Sequence, residues 1–158
     1  MRFYTNQECE AWLEQKERQK PDQIPDMQIE RINYPKQSYG LAHVARWISN
    51  SNTYNEPCLL WITEWRIWPS SENLHLYYRL RGSYGDQRLL GEAPGHLFLG
   101  YETSDLASFL QVAMLNGWDG YILTSANYVN AFFSHDEYID FFAKLDYSFS
   151  DLKEALVK

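Results

Sequence analysis

Cysteine, proline and glycine are all scarce in this chain: 2, 6 and 8 of 158 residues. So few glycines and prolines exclude collagen-like and low-complexity chains. Cys9 and Cys58 make neither a disulfide framework nor a closely spaced metal pair, which leaves two thiols suited to a reducing compartment. No stretch approaches the roughly 18 uninterrupted apolar residues of a membrane span. The opening Met1-Arg2-Phe3-Tyr4 runs straight into a segment charged by Glu8, Glu10 and Glu14, so no signal peptide is expected and the location read from the sequence is cytoplasmic. The Gly-x-Gly-x-x-Gly, Gly-x-x-x-x-Gly-Lys, His-Glu-x-x-His and Gly-x-Ser-x-Gly patterns are missing too, and Ser70 and Ser71 lie in no nucleophile elbow. The sequence therefore assigns no catalytic residue, no cofactor and no metal.

Basic charge is the most unevenly missing property. Against 21 acidic residues stand 14 basic ones, a formal charge of −7. Residues 92–158 hold 10 acidic side chains and only Lys144, Lys153 and Lys158, which accounts for the whole imbalance. Between Arg88 and Lys144 there is no lysine or arginine, while Glu92, Glu102, Asp105, Asp119, Asp136, Glu137 and Asp140 all fall there. Such a segment repels nucleic acid and anions and attracts cationic partners. No nucleic-acid or membrane partner is expected.

What is present is ordinary globular composition, 45% apolar and 22% charged. A chain of this length buries roughly 70% of its unfolded surface in one core, so residues 1–158 are read as a single domain. Thr5 or Asn6 caps a first helix running to about Lys20, before Pro21 and Pro25. Residues 29–33 alternate as a short strand, and Leu41, Val44, Ala45 and Ile48 recur at helical spacing to about Asn50. The run from Leu59 to Trp68 reads as a buried strand ended by Pro69. For residues 72–81 a helix capped by Ser70 or Ser71 is preferred, although Leu74, Leu76, Tyr78 and Leu80 also alternate as in a strand.

Beyond the loop glycines Gly82, Gly85, Gly91 and Gly95 lies the short apolar run Leu97-Phe98-Leu99. Leu106, Phe109, Leu110, Ala113 and Met114 then predict a helix capped by Thr103 or Ser104 and stopped by Gly117. Residues 121–123 and 129–133 read as strands. Tyr138, Phe141, Phe142 and Leu145 predict a further helix, and a short terminal helix begins near Ser150. The expected fold is α+β: several helices packed on a mostly antiparallel or mixed sheet.

Several local groupings compete with plainer explanations. Ser134-His135-Asp136-Glu137 looks catalytic, yet Ser followed three positions later by Glu before an apolar helical run is a capping box. Glu72 and His75 have the Glu-x-x-His spacing of a di-metal bundle, without its second copy. Arg79, Arg81 and Arg88 surround a glycine loop beside Asp86 and are read as a paired surface rather than an anion site. Cys9 sits in a charged helix. Glu92, His96 and Glu102, with His75, form the alternative site for an enzyme or a ligand- or metal-binding protein, if the fold brings them together.

Aromatic residues make up 16% of the chain, more than one modest core requires. Trp118, Tyr121 and Tyr128 lie in the basic-free segment next to Asp119, where core and interface both remain open. The candidate partner-binding residues are Trp118, Asp119, Tyr121, Asp136, Glu137 and Asp140.

Trp68-Pro69-Ser70-Ser71-Glu72-Asn73, Tyr77-Tyr78-Arg79-Leu80-Arg81, Ser83-Tyr84-Gly85-Asp86, Glu92-Ala93-Pro94-Gly95-His96, Gly117-Trp118-Asp119 and Ser134-His135-Asp136-Glu137 together span about residues 57–142. In these segments the chain resembles small bacterial proteins of the polymorphic-toxin immunity type. That resemblance implies a small, acidic, aromatic-rich cytosolic protein that protects its cell by binding a toxin domain, and the acidic charge of this chain leads one to expect a basic partner. It carries over no catalytic residue.

Overall fold

The computed structural model describes residues 1–51, 56–65, 74–124, 130–145 and 148–150. Among them run β1 (Arg2–Tyr4), α1 (Asn6–Gln15), β2 (Gln28–Asn33), α2 (Ser38–Ser51), β3 (Cys58–Glu64), α3 (Leu74–Ser83), β4 (Gly95–Phe98), α4 (Thr103–Leu115), β5 (Asp119–Thr124), β6 (Asn130–Ser134) and β7 (Tyr138–Ala143). The strands form one seven-stranded sheet in the order β1-β4-β3-β5-β6-β7-β2, antiparallel at every pairing. The fold is α+β, as its mixed periodicities predict. No helix among the described residues is long and apolar enough to cross a membrane.

Side-chain alternation along the strands builds two unequal layers. One face carries Cys58, Leu60, Ile62, Ile122, Ala131, Phe133, Ile139 and Phe141, and α2, α3 and α4 cover it with Val44, Ile48, Tyr77, Leu106, Phe109 and Leu110. The other face carries Leu59, Trp61, Leu97 and Leu123, and α1 covers only that part with Cys9, Trp12 and Leu13. A buried leucine contributes about 1.5–3 kcal/mol, so three side chains suffice to dock a ten-residue helix. Further along this second face, Phe132 and Tyr138 are half-buried and Arg31 is exposed. One row of paired residues crosses all seven strands there: Tyr4, Gly95, Trp61, Tyr121, Phe132, Asp140 and Arg31.

Local signals hold at several ends. Thr5 and Glu8 form the capping box of α1, the Thr5 hydroxyl accepting the Glu8 amide at 3.2 Å and the Glu8 carboxylate accepting the Thr5 amide at 2.7 Å. Residues 74–83 are helical, with Tyr77 and Arg81, four apart, on the buried face. Gly117, at φ 64°, ends α4.

Three expectations are corrected. The first helix stops at Gln15, where Lys16 and Glu17 (φ 53°) turn the chain well before Pro21. The cap of α4 is Glu102, whose carboxylate accepts the Leu99 amide at 2.8 Å, rather than Thr103 or Ser104. The largest change is at 138–143, where the expected helix is strand β7, paired with both β6 and β2. A central strand buried on both faces reads as a continuous apolar run, and its helical spacing is then accidental. The three-residue strand β1 carried no readable period and was not anticipated. Ser70, Ser71, Glu72, Tyr128 and the terminal helix beyond Ser150 lie outside the described residues.

Candidate functional site

The β6–β7 connection decides where the acidic groups go. Residues 135–137 form a three-residue hairpin loop that ends on Glu137 in the left-handed region at φ 64°. The Ser134 hydroxyl accepts the Asp136 amide at 3.2 Å and the Ser134 carbonyl accepts the Glu137 amide at 3.1 Å. Serine thus performs the local capping expected of it, in a turn between strands instead of at a helix start.

This loop folds over the end of β5. The Asp119 carboxylate accepts the His135 amide at 2.6 Å, and His135 Nδ1 lies 2.8 and 2.9 Å from the two carboxylate oxygens. On the far side of the ring, Nε2 is 3.2 Å from the exposed carboxylate of Asp136. Glu64, the last residue of β3, completes the group: Glu64, Asp119 and His135 each offer an atom within 4.8 Å of the others. A register shift brings Glu64 there. Ile62 pairs with Gly120 but Glu64 pairs with Asp119, so Thr63 is an extra residue. In a regular strand Glu64 would share the helix-covered face with Ile62; the bulge turns it to the face of Asp119.

Tyr34 is tied to this loop through its backbone. Its amide donates to the Glu137 carbonyl at 2.7 Å, and its hydroxyl is buried with no hydrogen-bond partner among the described residues. Burial, then the charges of Asp119 and Glu137, push this phenol well above the usual tyrosine range. Three carboxylates, Glu64, Asp119 and Asp136, therefore gather around one imidazole at one end of the sheet, and Glu137 follows on the same loop.

The sequence-derived candidates separate into groups. Asp136 and Glu137 are exposed on the loop. Asp119 is buried and holds His135. Asp140 is buried in a bidentate pair with Arg31, both bonds 2.7 Å, and that guanidinium also stacks 3.7 Å from the Tyr138 ring centre. Asp140 thus has a resident partner. Tyr121 is half-buried, 5.0 Å from Phe132 and 5.8 Å from the Lys20 ammonium. Trp118 is fully buried against Trp65 at 4.7 Å and Tyr77 at 4.8 Å, so its ring completes the core and offers no surface contact.

Glu92, His96 and Glu102 are not brought together. The only convergent set of three ligating residues among the described ones is Glu64, Asp119 and His135. Glu92 instead accepts the Leu89 amide at 2.9 Å. His96 is fully buried between Tyr77 and the Pro94 carbonyl, and His75 is exposed on α3. The arginine loop is internally paired, Asp86 lying 3.4 Å from buried Arg81 and 2.6 Å from Arg88. Cys9 and Cys58 are buried and form no disulfide, and burial pushes both thiols up to about 12, away from reactivity at neutral pH. A cavity of about 380 Å³ opens elsewhere, beside Leu13, Ile24, Met27, Leu123, Asn130 and Lys144.

Sequence reasoning named Asp119 and Asp136 for their charge, treated His135 as part of a cap, and did not single out Glu64. No family model, curated protein or solved structure matches this chain.

Proposed function

We propose that this chain is a cytoplasmic, stoichiometric inhibitor of the immunity type that binds a basic protein partner, such as a toxin domain, and catalyses no reaction of its own. The reading rests on one observation above all: the β6–β7 loop presents Asp136 and Glu137 to solvent at the sheet end where Glu64 and Asp119 converge. The segment that supplies the loop holds no lysine or arginine between Arg88 and Lys144. Carboxylates arranged in this way steer a cationic surface during encounter, and the half-buried Tyr121, Phe132 and Tyr138 on the adjoining face supply area at small entropic cost.

The test is capture of the tagged chain's partner from a native lysate, followed by binding kinetics with that partner. One polypeptide recovered near one to one is expected. With Asp136→Lys/Glu137→Lys its association should slow on the order of tenfold and lose most of its salt dependence, while dissociation changes little. An empty capture, or unchanged association by the reversed variant, refutes the reading.

A second reading, binding of a small ligand, is favoured by the 380 Å³ cavity, where Leu13, Ile24, Met27 and Leu123 meet the polar Asn130 and the charged Arg18, Asp26 and Lys144. Metabolites that raise the unfolding temperature by several degrees would support it.

A further inference from the structure

We propose that Glu64, Asp119 and His135 form a binding site for one divalent transition-metal ion of the Zn²⁺ class. The inference does not depend on the partner-binding reading.

Three features of the geometry point to it. First, the three side chains come from β3, β5 and the β6–β7 loop, yet they place one ligand atom each within 4.8 Å of the others. In tetrahedral zinc, with bonds of about 2.0–2.1 Å, neighbouring ligand atoms lie about 3.3 Å apart. The 2.8 Å between His135 Nδ1 and Asp119 Oδ1 therefore has to widen by about half an ångström, a small movement for a side chain on a hairpin loop.

Second, the ring is oriented from behind. Metal-bound imidazoles characteristically give their other N–H to a carboxylate, and Asp136 lies 3.2 Å from Nε2. Without a metal, Nδ1–H donates to Asp119; a metal ion at that position would leave the ring's one proton on Nε2, beside Asp136. The Thr63 bulge brings the third ligand to the same face by pairing Glu64 with Asp119.

Third, the charges balance. Two carboxylates and a neutral imidazole match a divalent ion, and the nitrogen ligand favours zinc and its neighbours over magnesium or calcium. Three protein ligands leave a coordination position open.

The experiment is calorimetric titration of the chelator-treated full chain with ZnCl₂, and separately with MnCl₂, MgCl₂ and CaCl₂, in the absence of any partner. One Zn²⁺ or Mn²⁺ per chain is expected. Glu64→Gln and His135→Ala should each weaken binding at least tenfold, and Asp136→Asn should weaken it about 10-fold or more through the orientation of the ring. Glu64 is exposed, so Glu64→Gln keeps the fold intact, which circular dichroism verifies. No uptake of a transition ion, uptake of Mg²⁺ or Ca²⁺ alone, or equal affinity in Glu64→Gln and His135→Ala overturns the assignment. The last result would place the ion on exposed histidines such as His43 or His75. Because no partner is present, failure here leaves the capture experiment to be judged by its own result.

Discussion

His96 makes the fold acid-sensitive in a pH window of its own. The side chain is fully buried on β4; Nδ1–H donates to the Pro94 carbonyl at 3.1 Å, Nε2 accepts from the Tyr77 hydroxyl, and the rings of Phe3 and Phe109 lie 5.1 and 5.2 Å away. Both ring nitrogens are satisfied in the neutral form. Burial, then the charge of Arg81, depress its pKa to about 3, against about 6.5 in an unfolded chain. Between those values the unfolded state carries a proton that the folded state refuses. The stabilisation is complete above pH 6.5 and is lost as pH falls towards 3, by up to about 1.4 kcal/mol per unit. At pH 5 the loss from this one group is about 2 kcal/mol, or roughly 4–8 °C in a domain of this size. Carboxylates add little there, since their unfolded values lie near 4. Urea denaturation followed by tryptophan fluorescence at pH 7, 6 and 5 reads the effect, with His96→Gln as the comparison. The offset between the two proteins reports lost packing, while the difference in slope reports the proton. The wild type should lose about 2 kcal/mol more than the variant between pH 7 and 5. Parallel curves would refute the assignment of a neutral, buried His96.

Two further perturbations probe the packing on each side of the sheet. A Cβ added at Gly95 meets Cys9 Sγ and comes within 2.9 Å of Tyr4 Cβ, so Gly95→Ala should cost about 1–3 kcal/mol in urea unfolding. Cys9→Ala should then recover part of that loss, and strictly additive effects would deny the contact. Asp86 is held low despite its burial by bonds from Arg88 and the charge of Arg81. Asp86→Asn strands the fully buried guanidinium of Arg81 and should cost about 3–5 kcal/mol, and a thermal shift corresponding to less than about 1 kcal/mol would refute the pairing.

The fold was legible wherever a local period met a single buried face. In α4, Leu106, Phe109, Leu110, Ala113 and Met114 all bury, as their spacing requires. In α3, Tyr77 and Arg81 settle the choice that alternating leucines left open: both are buried, and the arginine is held by Asp86. Legibility failed in β7 because Ile139, Phe141 and Ala143 serve one face while Phe142 is buried on the other, which erases the period of two. It failed in β1 because three residues are too short to show any period. Ser134 carries the same warning at the scale of one side chain. Its hydroxyl captures the amide two residues on, and that bond starts a hairpin as readily as a helix. Only the two strands that β7 joins decide between them.

The candidate site was half legible for a related reason. Charge can be counted along a chain, so the absence of lysine and arginine between Arg88 and Lys144 already drew attention to Asp119, Asp136 and Glu137. Coordination cannot be counted in this way. Glu64, Asp119 and His135 follow no motif spacing, because they meet through the pairing of β3 with β5 and of β5 with β6. Even a correct list of strands would have misplaced one of them. Trp61 and Ile62 alternate regularly, and continuing that alternation sends Glu64 to the face that the helices cover. The extra residue at Thr63 reverses this, and what it changes is the number of residues between two pairings rather than their type. A bulge sets direction without leaving a compositional trace, so the one residue that the sequence did not single out is the one whose orientation depends on it.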